Sequence, residues 1–64
     1  MQKSLVASRD LKKGTIISLD DIDLKSPGGG IDPSCINKVI GKKILHDVNF
    51  EEKFMIKYLK QVDD

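Results

Sequence analysis

A short apolar run, Ser4-Leu5-Val6-Ala7-Ser8, breaks into the charged segment Asp10-Leu11-Lys12-Lys13-Gly14. Apolar residues over so few positions, bounded by a turn, predict a buried strand. Gly14 supplies the positive φ that such a turn needs. Thr15-Ile16-Ile17 predicts a second strand, because three successive β-branched residues favour extended backbone. Ser18-Leu19-Asp20-Asp21-Ile22 reads as one helical turn capped by Ser18, and Asp23-Leu24-Lys25 as a return to extended chain.

The run Ser26-Pro27-Gly28-Gly29-Gly30 holds three of the five glycines and predicts a loop. Asp32-Pro33 follows as a helix start, with Asp32 as N-cap and Pro33 at the first helical position. Cys35, Ile36, Val39 and Ile40 then recur at helical spacing on one side, and Gly41 ends the helix through a left-handed cap. Lys43-Ile44-Leu45 predicts another strand. From His46 to Gln61 the pattern is ambiguous, since Phe50, Phe54, Met55, Tyr58 and Leu59 would also line one face of an amphipathic helix.

Sliding the chain against itself by 37 positions addresses that ambiguity. Asp10-Leu11 then meets Asp47-Val48, Ile17 meets Phe54, Leu19 meets Ile56, and Ile22 meets Leu59, without a gap. On this template Lys53-Phe54-Met55 becomes a strand and residues 56–59 a short turn. Two copies are too few for a solenoid, so the shift predicts a compact pseudo-symmetric unit.

Composition narrows the function classes. With 64 residues there is room for one domain with a small core and no deep catalytic cleft, so a complete enzyme is excluded. The hydrophobic share is 39%, Trp is absent, and the aromatics are Phe50, Phe54 and Tyr58, which makes the core mostly aliphatic. Eleven basic against ten acidic residues, scattered along the chain, give a net charge of +1 and no long-range attraction to nucleic acid or an anionic membrane. Cys35 is a single cysteine, and no apolar run suits a signal peptide or membrane span; a reducing cytoplasm fits.

Candidate chemistry is sparse. His46, beside Asp47 and eleven positions from Cys35, offers neither zinc spacing nor a full ligand set, and reads as a partly exposed residue at a strand end. Cys35 lies on the apolar side of its helix and reads as a small core residue. Asp20 and Asp21 project in different directions and suit a helix start better than paired acid/base work. The run Lys25-Ser26-Pro27-Gly28-Gly29-Gly30 stands apart, because three consecutive glycines exceed what a reversal requires and permit close backbone approach to a ligand. It matches neither a P-loop nor a dinucleotide fingerprint. Pattern alone leaves a flexible turn and a ligand-facing loop both open.

The ordered set of Val6-Ala7, Asp10-Leu11-Lys12-Lys13-Gly14-Thr15-Ile16-Ile17, Asp20-Asp21-Ile22, residues 24–31, Pro33 and Val39-Ile40-Gly41-Lys42-Lys43-Ile44-Leu45 resembles the SAF domain. This antifreeze-like module ends bacterial and animal sialic acid synthases and is similar to type III antifreeze proteins. The resemblance covers nearly all of residues 1–64. It implies a mostly β fold with short one-turn helices, the compact, pseudo-two-fold β-clip, and a chain that is the C-terminal part of a larger synthase. A barrel of typically about 250 residues should then precede it.

In such synthases the barrel condenses phosphoenolpyruvate with an N-acetylhexosamine such as N-acetylmannosamine, using a divalent metal, Mn or Mg. The SAF domain caps the barrel of its partner subunit in a domain-swapped homodimer. No cofactor is implied for the domain itself. Family members often send an Arg into the partner's site from a Lys-Arg-Pro-Gly loop; here the run is Lys25-Ser26-Pro27-Gly28, so Ser26 replaces that Arg. A hydroxyl has neither the reach nor the bidentate charge of a guanidinium. The resemblance thus places Lys25, Ser26, Gly28 and Gly29 at the sugar end of the partner's site. The same fold also serves ice binding, pilus or flagellar assembly, and sugar-acid dehydratases. Charges at Lys12, Lys13, Asp20 and Asp21 oppose the first, and the Pro-Gly loop followed by Val39-Ile40-Gly41-Lys42-Lys43 favours the synthase branch.

Overall fold

The computed structural model describes residues 3–26 and 28–62. Strand β1 (Ser4–Ala7) pairs antiparallel with β2 (Ile22–Lys25), Leu5 facing Leu24 and Ala7 facing Ile22. Strand β3 (Lys43–Ile44) pairs antiparallel with β4 (Leu59–Lys60), Ile44 facing Leu59. The helical elements are short 3₁₀ segments at Leu19–Asp21, Pro33–Lys38 and Ile56–Tyr58. This is the mostly β class, with short helical turns, that the sequence predicts.

The 37-residue repeat is physical. Leu11 and Val48, equivalent under the shift, exchange backbone hydrogen bonds of 2.7 and 2.8 Å at the junction of the halves. Around them the bonds come in reciprocal pairs. The Gly14 N–H donates to the Ile44 carbonyl (2.9 Å) as that of Glu51 donates to Ala7 (2.8 Å). The Ile17 N–H donates to Lys42 (2.9 Å) as that of Phe54 donates to Leu5 (3.0 Å). Each turn is also held by the other half's carboxylate: the Lys13 N–H donates to Asp47 and the Phe50 N–H to Asp10, both at 2.7 Å.

The core is mainly aliphatic, as expected: Leu5, Ala7, Leu11, Ile17, Ile31, Val39, Ile44 and Val48 surround Phe54. Ile17 and Phe54, equivalent residues, are both 1% exposed. All four residues of β1 are buried because the strand has the second half against it as well as β2, through a bridge from Val6 to Lys53.

Some local expectations need correction. Thr15-Ile16-Ile17 is not a strand: only Ile16 makes an isolated bridge, to Lys43. The Thr15 hydroxyl instead bonds back to the Lys12 carbonyl at 2.6 Å, drawing it into the turn. Lys53-Phe54-Met55 likewise forms only an isolated bridge to β1, Lys53 with Val6, beside the Phe54 bond to Leu5, and the strands of the second half are β3 and β4. The expected helix after Asp32 starts as read, with the Asp32 carboxylate accepting from the Ser34 N–H at 2.8 Å, but it is a 3₁₀ segment kinked at Cys35 (φ −98°, ψ 18°). With about three residues per turn, the spacing of Cys35, Ile36, Val39 and Ile40 no longer forms one buried face. Val39 is buried, while Cys35 and Ile36 are half-buried against the core. Gly41 has the predicted left-handed φ, 84°, but the segment ends earlier, at Lys38 with Val39 as its C-cap, and the Gly41 N–H donates to the Ile17 carbonyl at 2.8 Å.

Candidate functional site

The loop that leaves β2 is anchored by contacts from distant parts of the chain. Pro27, within it, lies outside the described residues. Lys25 is half-exposed at the end of β2, and its ammonium pairs with the Glu51 carboxylate. Ser26 is exposed. The Gly28 carbonyl accepts from the Lys53 ammonium at 3.1 Å, and the Gly30 N–H donates to the Ser4 hydroxyl at 3.0 Å. Gly29 has φ 111°, a left-handed value at which side chains are strained. At Gly30 a Cβ would stand 3.3 Å from both the Lys53 and Ser4 Cβ atoms. Glycines here permit the loop to lie against Lys53 and Ser4, beyond what reversal alone needs.

Of the residues the sequence reading singled out, Lys25 ends β2, Ser26 and Gly29 are exposed and Gly28 is half-buried; Ser4, Glu51 and Lys53, which contact them or the adjoining Gly30, were missed. Beside the loop, an apolar groove of about 410 Å³ is lined by Ile31, Cys35, Met55 and Ile56 and meets the loop at Gly30. Such an arrangement offers hydrogen-bonding backbone next to apolar surface, which suits contact with a polar ligand or another protein surface. Among the described residues no group of three or more His, Cys, Asp or Glu side chains converges as metal ligands.

The remaining candidates have structural duties. Asp21 is buried, and its carboxylate accepts from Arg9 Nε (2.9 Å) and Nη2 (2.6 Å) and from the Ser18 N–H and hydroxyl (3.0 Å each). Ser18 holds the predicted N-cap position, but the carboxylate of Asp21 makes the cap contact back to it. Burial pushes the Asp21 carboxyl up, yet the Ser18 backbone bond, the Arg9 guanidinium and the Ser18 hydroxyl together hold it below its ordinary value. The equivalent pair in the second half is His46 and Tyr58, whose rings meet edge-on, 4.0 Å between centroids and 81° apart. His46 is thereby explained as a half-buried packing residue.

Of the four charges expected to oppose ice binding, Lys12, Lys13 and Asp20 are exposed, but Asp21 is buried and paired with the exposed Arg9. Strongly hydrated charges disrupt a flat face of small apolar groups, so the isolated domain is expected to show no thermal hysteresis. A freezing-point gap in a nanolitre osmometer would contradict this.

Fold and site together define a small, mostly β domain with a glycine-rich loop after its second strand. The SAF domain family model matches residues 2–49, and the chain belongs to that family. It is 38% identical over 48 residues to a pseudaminic acid synthase of Campylobacter jejuni, covering 75% of this chain and 14% of the synthase. To an N,N'-diacetyllegionaminic acid synthase of Legionella pneumophila it is 41% identical over 44 residues, 69% of this chain and 12% of that protein. An uncharacterized protein of Methanocaldococcus jannaschii is 39% identical over 46 residues, 72% of the chain and 14% of that protein. The chain therefore spans only about one seventh of the length of these relatives. No helix among the described residues is long and apolar enough to cross a membrane.

Proposed function

We propose that this chain is the accessory lid of a synthase making sialic acid-type nine-carbon sugar acids. It would cap the partner subunit's barrel in a domain-swapped homodimer, where phosphoenolpyruvate condenses with an N-acetylhexosamine. The observation that carries this reading is the similarity to synthases of pseudaminic and legionaminic acids over most of this chain and a small part of theirs. The anchored, exposed loop 25–30 supports it as the surface turned toward the sugar.

The Gly28 carbonyl and the Gly30 N–H are already bonded within the chain, so the side chains this loop offers to sugar hydroxyls are the exposed Ser26 hydroxyl and the half-exposed Lys25 ammonium, which keeps donors beyond its pair with Glu51. The lid would shape and close the site, and the charged contact of an Arg is absent from this position. A divalent cation, Mn or Mg, and the reacting groups would belong to the barrel, and the assembled enzyme would work in the cytoplasm.

The test uses a full-length synthase carrying this domain. Ser26→Arg lengthens the side chain toward the sugar, and Gly29→Val places a β-branched residue at φ 111°. Each is expected to change the sugar KM by roughly tenfold, the equivalent of one hydrogen bond, while the phosphoenolpyruvate KM moves less. An unchanged sugar KM in both variants would end this reading.

A further inference from the structure

The reciprocal halves supply an internal control for which side chains the fold itself requires. The segments 14–17 and 51–54 make equivalent backbone bonds, and their bridges, Ile16 to Lys43 and Val6 to Lys53, are related by the same shift. The side chains differ at all four positions, and two of the differences face the glycine loop. Gly14 (φ 92°) corresponds to Glu51 (φ 67°), the one positive-φ residue other than glycine among the described residues. Ile16, half-exposed, corresponds to Lys53.

The first half builds this backbone with a glycine and an isoleucine, so the β-clip demands neither a carboxylate nor an ammonium there. Glu51 even occupies a conformation that a side chain disfavours. What distinguishes the second half is its neighbour: the Glu51 carboxylate meets Lys25 and the Lys53 ammonium meets the Gly28 carbonyl, at either end of the glycine loop. Lys53 also underlies Gly29 and Gly30, its Nζ 3.5 Å from the Cβ position of the former and its Cβ 3.3 Å from that of the latter.

We infer that Glu51 and Lys53 are positioning residues for loop 25–30, holding the Ser26 hydroxyl and the Gly28–Gly30 backbone in one arrangement before any ligand arrives. This deepens the lid reading and rests on it for the loop's purpose, but the holding itself is a property of this chain alone. Pre-ordering removes the entropy that a glycine-rich loop would otherwise lose on closing over a ligand.

The test is ¹⁵N relaxation on the 64-residue chain, with Lys53→Ile and Glu51→Gly, each the residue its equivalent position already carries, and Lys53→Arg as the conservative variant. In the unaltered chain and in Lys53→Arg, order parameters at Gly28, Gly29 and Gly30 are expected near the rigid value of about 0.85. In Lys53→Ile they should fall toward about 0.6 or below. Glu51→Gly should loosen Lys25 and Ser26 in the same way. Core amides such as Leu5, Val39 and Ile44 should be unaffected in all variants. Unchanged loop order in both Lys53→Ile and Glu51→Gly would overturn the inference, and so would loosening spread evenly through the core, which would mark a general structural role. An unaltered sugar KM in the preceding experiment would retire the lid reading but leave this inference standing, whereas a rigid loop in both variants would retire this inference alone.

Discussion

Phe54→Ala is expected to remove most of the domain's stability. Phe54 is the largest fully buried side chain, 1% exposed, and the only aromatic member of the core. Removing a buried phenyl ring costs about 3–5 kcal/mol, the sum of lost transfer energy and an incompletely collapsed cavity. A domain of this length has a total stability of about 3–10 kcal/mol, so one substitution consumes most of it. Collapse is hindered because the core that holds the ring joins both halves, with Leu5 and Ile17 from the first and Ile44 and Val48 from the second. Urea unfolding followed by circular dichroism measures the effect. Phe50→Ala is the control: that ring is 57% exposed, and a change within about 0.5 kcal/mol is expected. Equal losses for the two variants would show that the core has been misread.

The second large effect concerns acid. Asp21→Asn should cost about 1–3 kcal/mol near neutral pH, the range for hydrogen bonds to a charged group. Most of it should come from the bonds at Ser18, because Arg9 is 67% exposed and its attraction is screened by water. The carboxyl titrates below its ordinary value of 3.8 in the folded chain. The unfolded chain therefore takes up its proton first as pH falls. The stabilisation is complete above the ordinary value and disappears as pH drops through the lower folded value. Thermal melts from pH 7 to pH 2 should show the parent chain converging on the Asn variant below about pH 4. A gap that stays constant across that range would mean that the charge of Asp21 contributes nothing.

What could be read without coordinates was whatever is decided locally or by the repeat. β1 was legible because it is short, apolar and bounded by a turn, and the segment 19–21 because Ser18 and Asp21 sit at capping spacing. Asp32-Pro33 marked the start of the middle segment, whereas its end, capped at Val39, lies ahead of the expected Gly41. The strand expected at Thr15-Ile16-Ile17 failed because β-propensity describes willingness to extend, whereas a ladder also needs a partner over its full length. Here the partner is Lys43 alone. Cys35 fell short of full burial because its spacing was read with the period of an α-helix and the segment adopted a tighter one.

The candidate site divides the same way. Its glycines stand out in the sequence, but its supports do not. Ser4 and Lys53 reach the loop across separations of 26 and 25 residues, which no local pattern encodes. The shift by 37 did hold a usable signal, since it sets Glu51 against Gly14 and Lys53 against Ile16, mismatches at positions where the backbone agrees. Attending to similarity between the halves revealed the fold; the differences carried the support of the loop.

The crossed carboxylates at the two turns bear on how the chain reaches its native state. The turn near Gly14 is tied down by Asp47, and the turn near Glu51 by Asp10. Each turn closes a bond of its own, Thr15 N–H to Lys12 and Glu52 N–H to Asn49, but its further tie comes from a carboxylate 34 or 40 residues away in the other half. Assembly then has to bring residues some 40 positions apart together before either end is fully secured, a topology whose loop-closure entropy slows folding despite the short chain.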